Sequence, residues 1–192
     1  MIKAIIFDFA GVIGAEGYWL WLTENIHNLE SSKDFFLHLS NQVDRGDITD
    51  KEFISILAAH SRKSPDDIWP EIFEKIIINE NLIATIKKLR GVYKIGLLTN
   101  FVNEWITEII NHHKLQNYFD HIVISSREKI IKPDAKIFLL MLDHLQIHPD
   151  EAIFIDDRQN NVDGANAVGM KGIVYTTNEQ LQTDLLQSGV II

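Results

Sequence analysis

The stretch Met1-Ile2-Lys3-Ala4-Ile5-Ile6-Phe7-Asp8-Phe9-Ala10-Gly11-Val12-Ile13 decides the fold. Its opening run is apolar apart from Lys3, rich in Ile and Phe and too short for a core helix, which predicts a strand buried on both faces. Asp8 closes that run and Gly11 turns the chain. Acidic side chains are seldom buried without a partner, so an aspartate at this exit either pairs with a cation or is solvated beside the turn. Open α/β sheets place their ligands at the carboxyl ends of strands. Taken alone, Asp8 reads equally well as a turn residue.

Three later segments change that balance. Tyr93-Lys-Ile-Gly-Leu-Leu98 ends in Thr99-Asn100, and Glu151-Ala-Ile-Phe-Ile155 ends in Asp156-Asp157. Between them His121–Ser125 reads as a shorter strand, followed by Lys132-Pro133. Pro133 suits a first helical position, which would set Lys132 just outside the amino end of the next helix. If these strands are parallel neighbours, a carboxylate, a hydroxyl, an amide, a lysine and an acidic pair meet in one crevice. The whole pattern predicts an α/β fold with a doubly wound parallel sheet.

Four segments, in this order, resemble the motifs of the haloacid dehalogenase superfamily of phosphohydrolases. They are Phe7-Asp8-Phe9-Ala10-Gly11-Val12-Ile13, Leu98-Thr99-Asn100, Ile131-Lys132-Pro133, and Ile155-Asp156-Asp157 with the following Arg158 to Ala165. The likeness extends over nearly the whole chain. Asp44-Arg45-Gly46-Asp47-Ile48-Thr49 and Gly164-Ala165-Asn166 resemble small bacterial sugar-phosphate phosphatases with a helical cap. This resemblance implies a Rossmann-like core over residues 1–14 and 80–192, with a mobile helical cap over residues 15–79.

Phosphoryl transfer needs an in-line nucleophile, charge neutralisation at the phosphoryl oxygens and protonation of the leaving oxygen. Asp8 can be the nucleophile, through an aspartyl-phosphate. Asp156 and Asp157 brought beside Asp8 would repel one another unless a hard cation sat among them, and Mg²⁺ is the natural choice. The resemblance implies Asp8, the backbone carbonyl of Ala10 and one of the acidic pair as metal ligands, Asp157 being favoured over Asp156. It implies also that Lys132 offsets phosphoryl charge while Thr99 and Asn100 donate hydrogen bonds to the phosphoryl oxygens. Asn161 is expected to orient the acidic loop.

Ala10 departs from the family pattern. Most phosphatases of the superfamily carry there the aspartate that protonates the leaving group and then activates water. Three readings follow. The chain is a phosphatase whose substrate leaves easily or whose acid comes from Glu16, His27 or water; or it binds phosphate without turnover, in a regulatory role; or Asp8 attacks carbon without a metal, as in the dehalogenases.

The 192 residues can bury a substantial core. A net charge of −9 argues against a nucleic-acid partner, and the resemblance implies a small phosphorylated metabolite as the partner instead. The absence of cysteine fits a reducing cytoplasm. The amino terminus reads as a strand, not a signal peptide, and no apolar run reaches membrane-spanning length. Within the insertion, Ser31-Ser32 precede a predicted helix with Phe35, Phe36, Leu39 and Val43 on one face. Thr49-Asp-Lys-Glu52 is a capping box, and Ser64-Pro65 starts a third helix. Tyr18, Trp19 and Trp21 either line the pocket or pack in the core.

Overall fold

The computed structural model describes residues 1–191. All four side chains of strand β1 (Ala4–Phe7) are buried, so this strand needs neighbours on both edges and layers on both faces. Those neighbours come from β2 (Lys94–Thr99), β3 (His121–Ile124), β4 (Ala152–Asp156) and β5 (Lys171–Val174). The sheet runs β3-β2-β1-β4-β5 and every pairing is parallel. Alternate residues of β1 enter different cores. Ile5 and Phe7 belong to one buried cluster, Ala4 and Ile6 to another with Phe138 and Phe154. This is the doubly wound α/β architecture that the sequence predicts.

Register places the chemistry. Phe7 stands opposite both Leu97 and Ile155, so one residue further along Asp8 and Asp156 leave the sheet side by side. The central strand thus has motif-bearing strands on either side, and the crevice opens at their common carboxyl end.

Between β1 and the next core helix lie four helices: α1 (Gly17–Asn25), α2 (Leu29–Arg45), α3 (Asp50–Ser61) and α4 (Pro65–Glu74). The two connections to the sheet run alongside each other. Gly14 forms an antiparallel bridge with Ile78, and the N–H of Asn79 donates to the Ile13 carbonyl at 2.9 Å. Trp21, Phe36, Phe53 and Ile72 from this insertion share one buried cluster with Ile5 and Phe7. Further on come α5 (Glu80–Leu89), α6 (Asn103–His112), α7 (Ser125–Glu128), α8 (Ala135–Leu145), α9 (Gln159–Ala167) and α10 (Asn178–Gln187).

The capping box forms as read, Thr49 and Glu52 satisfying each other's backbone donors at the start of α3. Two other helix starts differ from expectation. Helix α2 begins at Leu29, because Asn28 turns the chain with φ 55°, and Ser31 and Ser32 bond back to the carbonyls of Asn28 and Leu29. Pro133 does not open α8. The Lys132–Pro133 bond is cis, and the helix starts at Ala135 with Asp134 as its cap, accepting from the Lys136 N–H at 2.9 Å. Phe35 also leaves the expected buried face and is exposed, whereas Phe36, Leu39 and Val43 are buried.

Candidate active site

Asp8 is held where the sheet ends. Its Oδ1 accepts from the Phe9 N–H at 2.7 Å and lies 2.7 Å from the Lys132 Nζ, which is also 2.7 Å from Asp156 Oδ2. Asp8, Lys132 and Asp156 are 6, 3 and 0% exposed, so one ammonium bridges two carboxylates in a dry place. Breaking a buried arrangement of this kind strands a charge. Asp156 is further held by the Arg158 N–H at 2.9 Å and by Asn161 Nδ2, 3.0 Å from both of its oxygens.

The three groups titrate in different directions. Burial pushes the Asp8 carboxyl up to about 8, Lys132 pulling against that and Asp156 adding to it. Burial would raise Asp156 too, but Lys132 and the hydrogen bonds from Arg158 and Asn161 outweigh it and hold this carboxyl below the usual range. Burial lowers and the two aspartates raise the Lys132 ammonium, which ends above its ordinary value.

Asp157 completes the cluster. Oxygens of Asp8, Asp156 and Asp157 lie within 4.8 Å of one another. Asp157 Oδ1 is buried and, among the described residues, has no hydrogen-bond partner. Gly11, with φ +77°, makes room for it: a Cβ there would sit 2.5 Å from Asp157 Oδ2. Hard oxygen donors around one orphaned carboxylate oxygen are the donor chemistry of a divalent cation such as Mg²⁺.

Thr99 ends β2 and Asn100 follows it, and the two are used in different ways. Thr99 is fully buried, and its hydroxyl is also without a partner among the described residues. Asn100 clasps the lysine's own backbone, Oδ1 accepting from the Lys132 N–H at 2.8 Å and Nδ2 donating to its carbonyl at 3.1 Å. It therefore fixes the loop that presents Lys132. The methyl of Ala10 lines the crevice next to Asp8.

Above the crevice is a cavity of about 90 Å³, walled on the apolar side by Tyr18, Trp19, Phe53, Phe101 and Trp105. Trp21 is not part of it; that ring is wholly buried and its indole N–H donates to Glu71 at 2.8 Å. Glu16 lines the cavity but is ion-paired with Arg158 at 2.7 Å. His27 is exposed beyond the end of α1 and lies outside the residues that line it. Two lining residues escape sequence reasoning, Asp44 and Arg158. The usable signal for Asp44 is an acidic residue two positions before Gly46, whose φ of 71° ends α2 and turns the chain.

A family model described as haloacid dehalogenase-like hydrolase matches residues 30–175, a span holding Thr99, Lys132, Asp156 and Asp157 and starting after Asp8. A glyceraldehyde 3-phosphate phosphatase of Pyrococcus furiosus is 34% identical over 96 residues, which are 48% of this chain and 39% of that protein. A phosphorylated carbohydrates phosphatase of Thermotoga maritima is 29% identical over 101 residues, 51% of this chain and 46% of that one. The chain thus spans less than half the length of these curated relatives. Among solved structures, a wild-type HAD family enzyme from Bacteroides thetaiotaomicron, in complex with magnesium and inorganic phosphate, superposes with a TM-score of 0.77 at 23% identity. That superposition covers 93% of this chain and 96% of that one. No helix among the described residues is long and apolar enough to cross a membrane.

Proposed function

This chain belongs to the haloacid dehalogenase-like hydrolase family, and from that premise we propose that it is a Mg²⁺-dependent phosphatase of small phosphomonoesters, working through Asp8. The observation that carries this reading is the bridge of Lys132 to both Asp8 and Asp156, with the unpartnered Asp157 oxygen beside it. Phosphatases of phosphorylated carbohydrates among its relatives favour a sugar phosphate or similar metabolite as substrate. In this reading residues 1–14 and 80–192 form the catalytic core, and residues 15–79 act as the cap that encloses the substrate.

Asp8 would attack phosphorus in line, forming an acyl-phosphate bond as the bond to the leaving oxygen breaks. Lys132 would then turn part of its charge from Asp8 toward the phosphoryl oxygens, while Asp156 keeps the ammonium in place. Asn100 holds the lysine's backbone, and the Thr99 hydroxyl is free to meet a phosphoryl oxygen. Asp8, the Ala10 carbonyl and Asp157 would hold Mg²⁺, with Asp156 alongside. When bound, Mg²⁺ supplies neutralisation of phosphoryl charge and relieves repulsion among the carboxylates. Attack on carbon without a metal would leave the Asp156–Asp157 pair a liability beside Asp8, which disfavours dehalogenation.

Phosphate release from sugar and other small phosphomonoesters, with Mg²⁺ and with chelator, tests this reading. Release is expected with Mg²⁺ and not with chelator; equal release in both would remove the metal from it. Gly11→Ala supplies a second test, since its Cβ would drive into the Asp157 carboxylate at a φ that disfavours any side chain. We expect Mg²⁺ binding to weaken by about 10- to 100-fold, as for disturbed ligand support elsewhere. Unchanged Mg²⁺ affinity in a titration would place the ion away from Asp157.

A further inference from the structure

Resting on the phosphatase reading above, we propose that Asp44 is the general acid of this site, giving the leaving oxygen the proton that Ala10 cannot supply. The in-line requirement makes the position meaningful. With Asp8 attacking from the sheet, the leaving oxygen departs on the far side of phosphorus. A donor carried by the helical insertion is suited to meet it, and Asp44, in the last turn of α2, lines the same cavity as Asp8, Ala10 and Lys132.

Asp44 also differs from the other carboxylates there. Asp8 is bonded to Lys132 and the Phe9 N–H, and Glu16 is paired with Arg158. The Asp44 carboxyl has neither a hydrogen bond nor an ion pair among the described residues, so its proton is uncommitted. Its backbone, by contrast, is fastened to the core. The buried Ser125 hydroxyl donates to the Asp44 carbonyl and accepts the Phe101 N–H at 3.0 Å, and Lys129 Nζ donates to the Gly46 carbonyl at 2.6 Å. These bonds tie the end of α2 to the segment that follows Thr99 and Asn100, which holds Asp44 at the cavity it lines.

The charged and titratable groups facing Asp44 are Tyr18 from α1, Arg158 from the start of α9 and Lys132 from the loop before α8. Burial pushes its carboxyl up to about 7, the two cations pulling the other way. Burial and Asp44 together keep the Tyr18 phenol protonated. A carboxyl near neutrality is suited to give a proton and take it back. In the first step the proton passes from Asp44 to the leaving oxygen, yielding the free alcohol and phosphorylated Asp8. In the second, the Asp44 carboxylate takes a proton from water as the water oxygen bonds to phosphorus. The bond to Asp8 breaks, inorganic phosphate leaves, and both carboxyls return to their starting states.

The test compares an alkyl phosphomonoester, whose alkoxide needs a proton, with nitrophenyl phosphate, whose phenolate departs without one. We read kcat/KM, which reports the step that expels the leaving group. Asp44→Asn is expected to lower kcat/KM for the alkyl ester by about 10²- to 10⁴-fold and to leave the nitrophenyl value within a few-fold. A merely structural role would lower both alike, and that result, or no loss on either, overturns the proposal. The wild-type pH profile needs no variant. An acid must be protonated to act, so kcat/KM for the alkyl ester should fall as pH rises through about 7, without a matching fall for nitrophenyl phosphate. Parallel profiles overturn the proposal too. Wild-type protein with no Asp8-dependent release from either substrate would refute the phosphatase reading itself, and this one with it.

Discussion

Lys132→Met is expected to destabilise the protein by about 3–5 kcal/mol, the usual cost of removing one partner from a buried charge cluster. The ammonium is 2.7 Å from a carboxylate oxygen on each side, and all three side chains are almost wholly shielded from water. Methionine fills the volume but leaves Asp8 and Asp156 facing each other without a cation between them. Denaturant unfolding with chelator present, so that no metal substitutes for the lysine, checks this. Adding Asp8→Asn should recover part of the loss by removing one of the two stranded carboxylates, and the double-variant cycle should report a coupling of about 1 kcal/mol or more. Stability within about 0.5 kcal/mol of the wild type would mean the bridge carries little of the folding energy. Turnover should drop as well, by about 10²- to 10³-fold or more, as when an electrostatic stabiliser of the developing charge is removed.

Asp8→Asn should have the opposite balance, with a small effect on folding and a very large one on chemistry. The amide oxygen can still accept the Phe9 N–H, and Lys132 keeps Asp156. Burial already disfavours the charged form of Asp8, so a neutral replacement of the same shape costs the fold little. An amide is no nucleophile, and phosphate release should fall by about 10⁴-fold or more. Thermal unfolding run beside the assay separates the two effects. Phosphate release that survives Asp8→Asn would move the nucleophile elsewhere.

Where sequence reasoning succeeded, the signal was local. The apolar run before Asp8 forms a strand over Ala4–Phe7, and the Thr49–Glu52 capping box forms, as signals carried by a few adjacent residues announce. The convergence of Asp8, Lys132, Asp156 and Asp157 was legible because parallel strands with polar carboxyl ends leave few other arrangements. Local competition caused the misplacements. Lys132-Pro133-Asp134-Ala135 offers both a proline and an aspartate as helix starters, and the aspartate wins. Ser31 and Ser32 look like caps, yet their hydroxyls turn back to carbonyls one helical turn earlier. The meeting of Asp44 and Arg158 was not legible for a different reason. They meet in one cavity although more than a hundred positions separate them in the chain, and only the packing of α2 on the sheet's carboxyl end brings them together.

The most direct measurement on the central claim is a rapid-quench turnover of the wild type, with Mg²⁺ and nitrophenyl phosphate, scoring phosphoryl groups on Asp8 by mass spectrometry. A good leaving group makes the first step fast, so hydrolysis of the covalent intermediate limits turnover. A burst of nitrophenol stoichiometric with protein, together with phosphorylated Asp8, is the expected result. Linear release from the first turnover, with Asp8 never modified, would contradict a mechanism that runs through an aspartyl-phosphate.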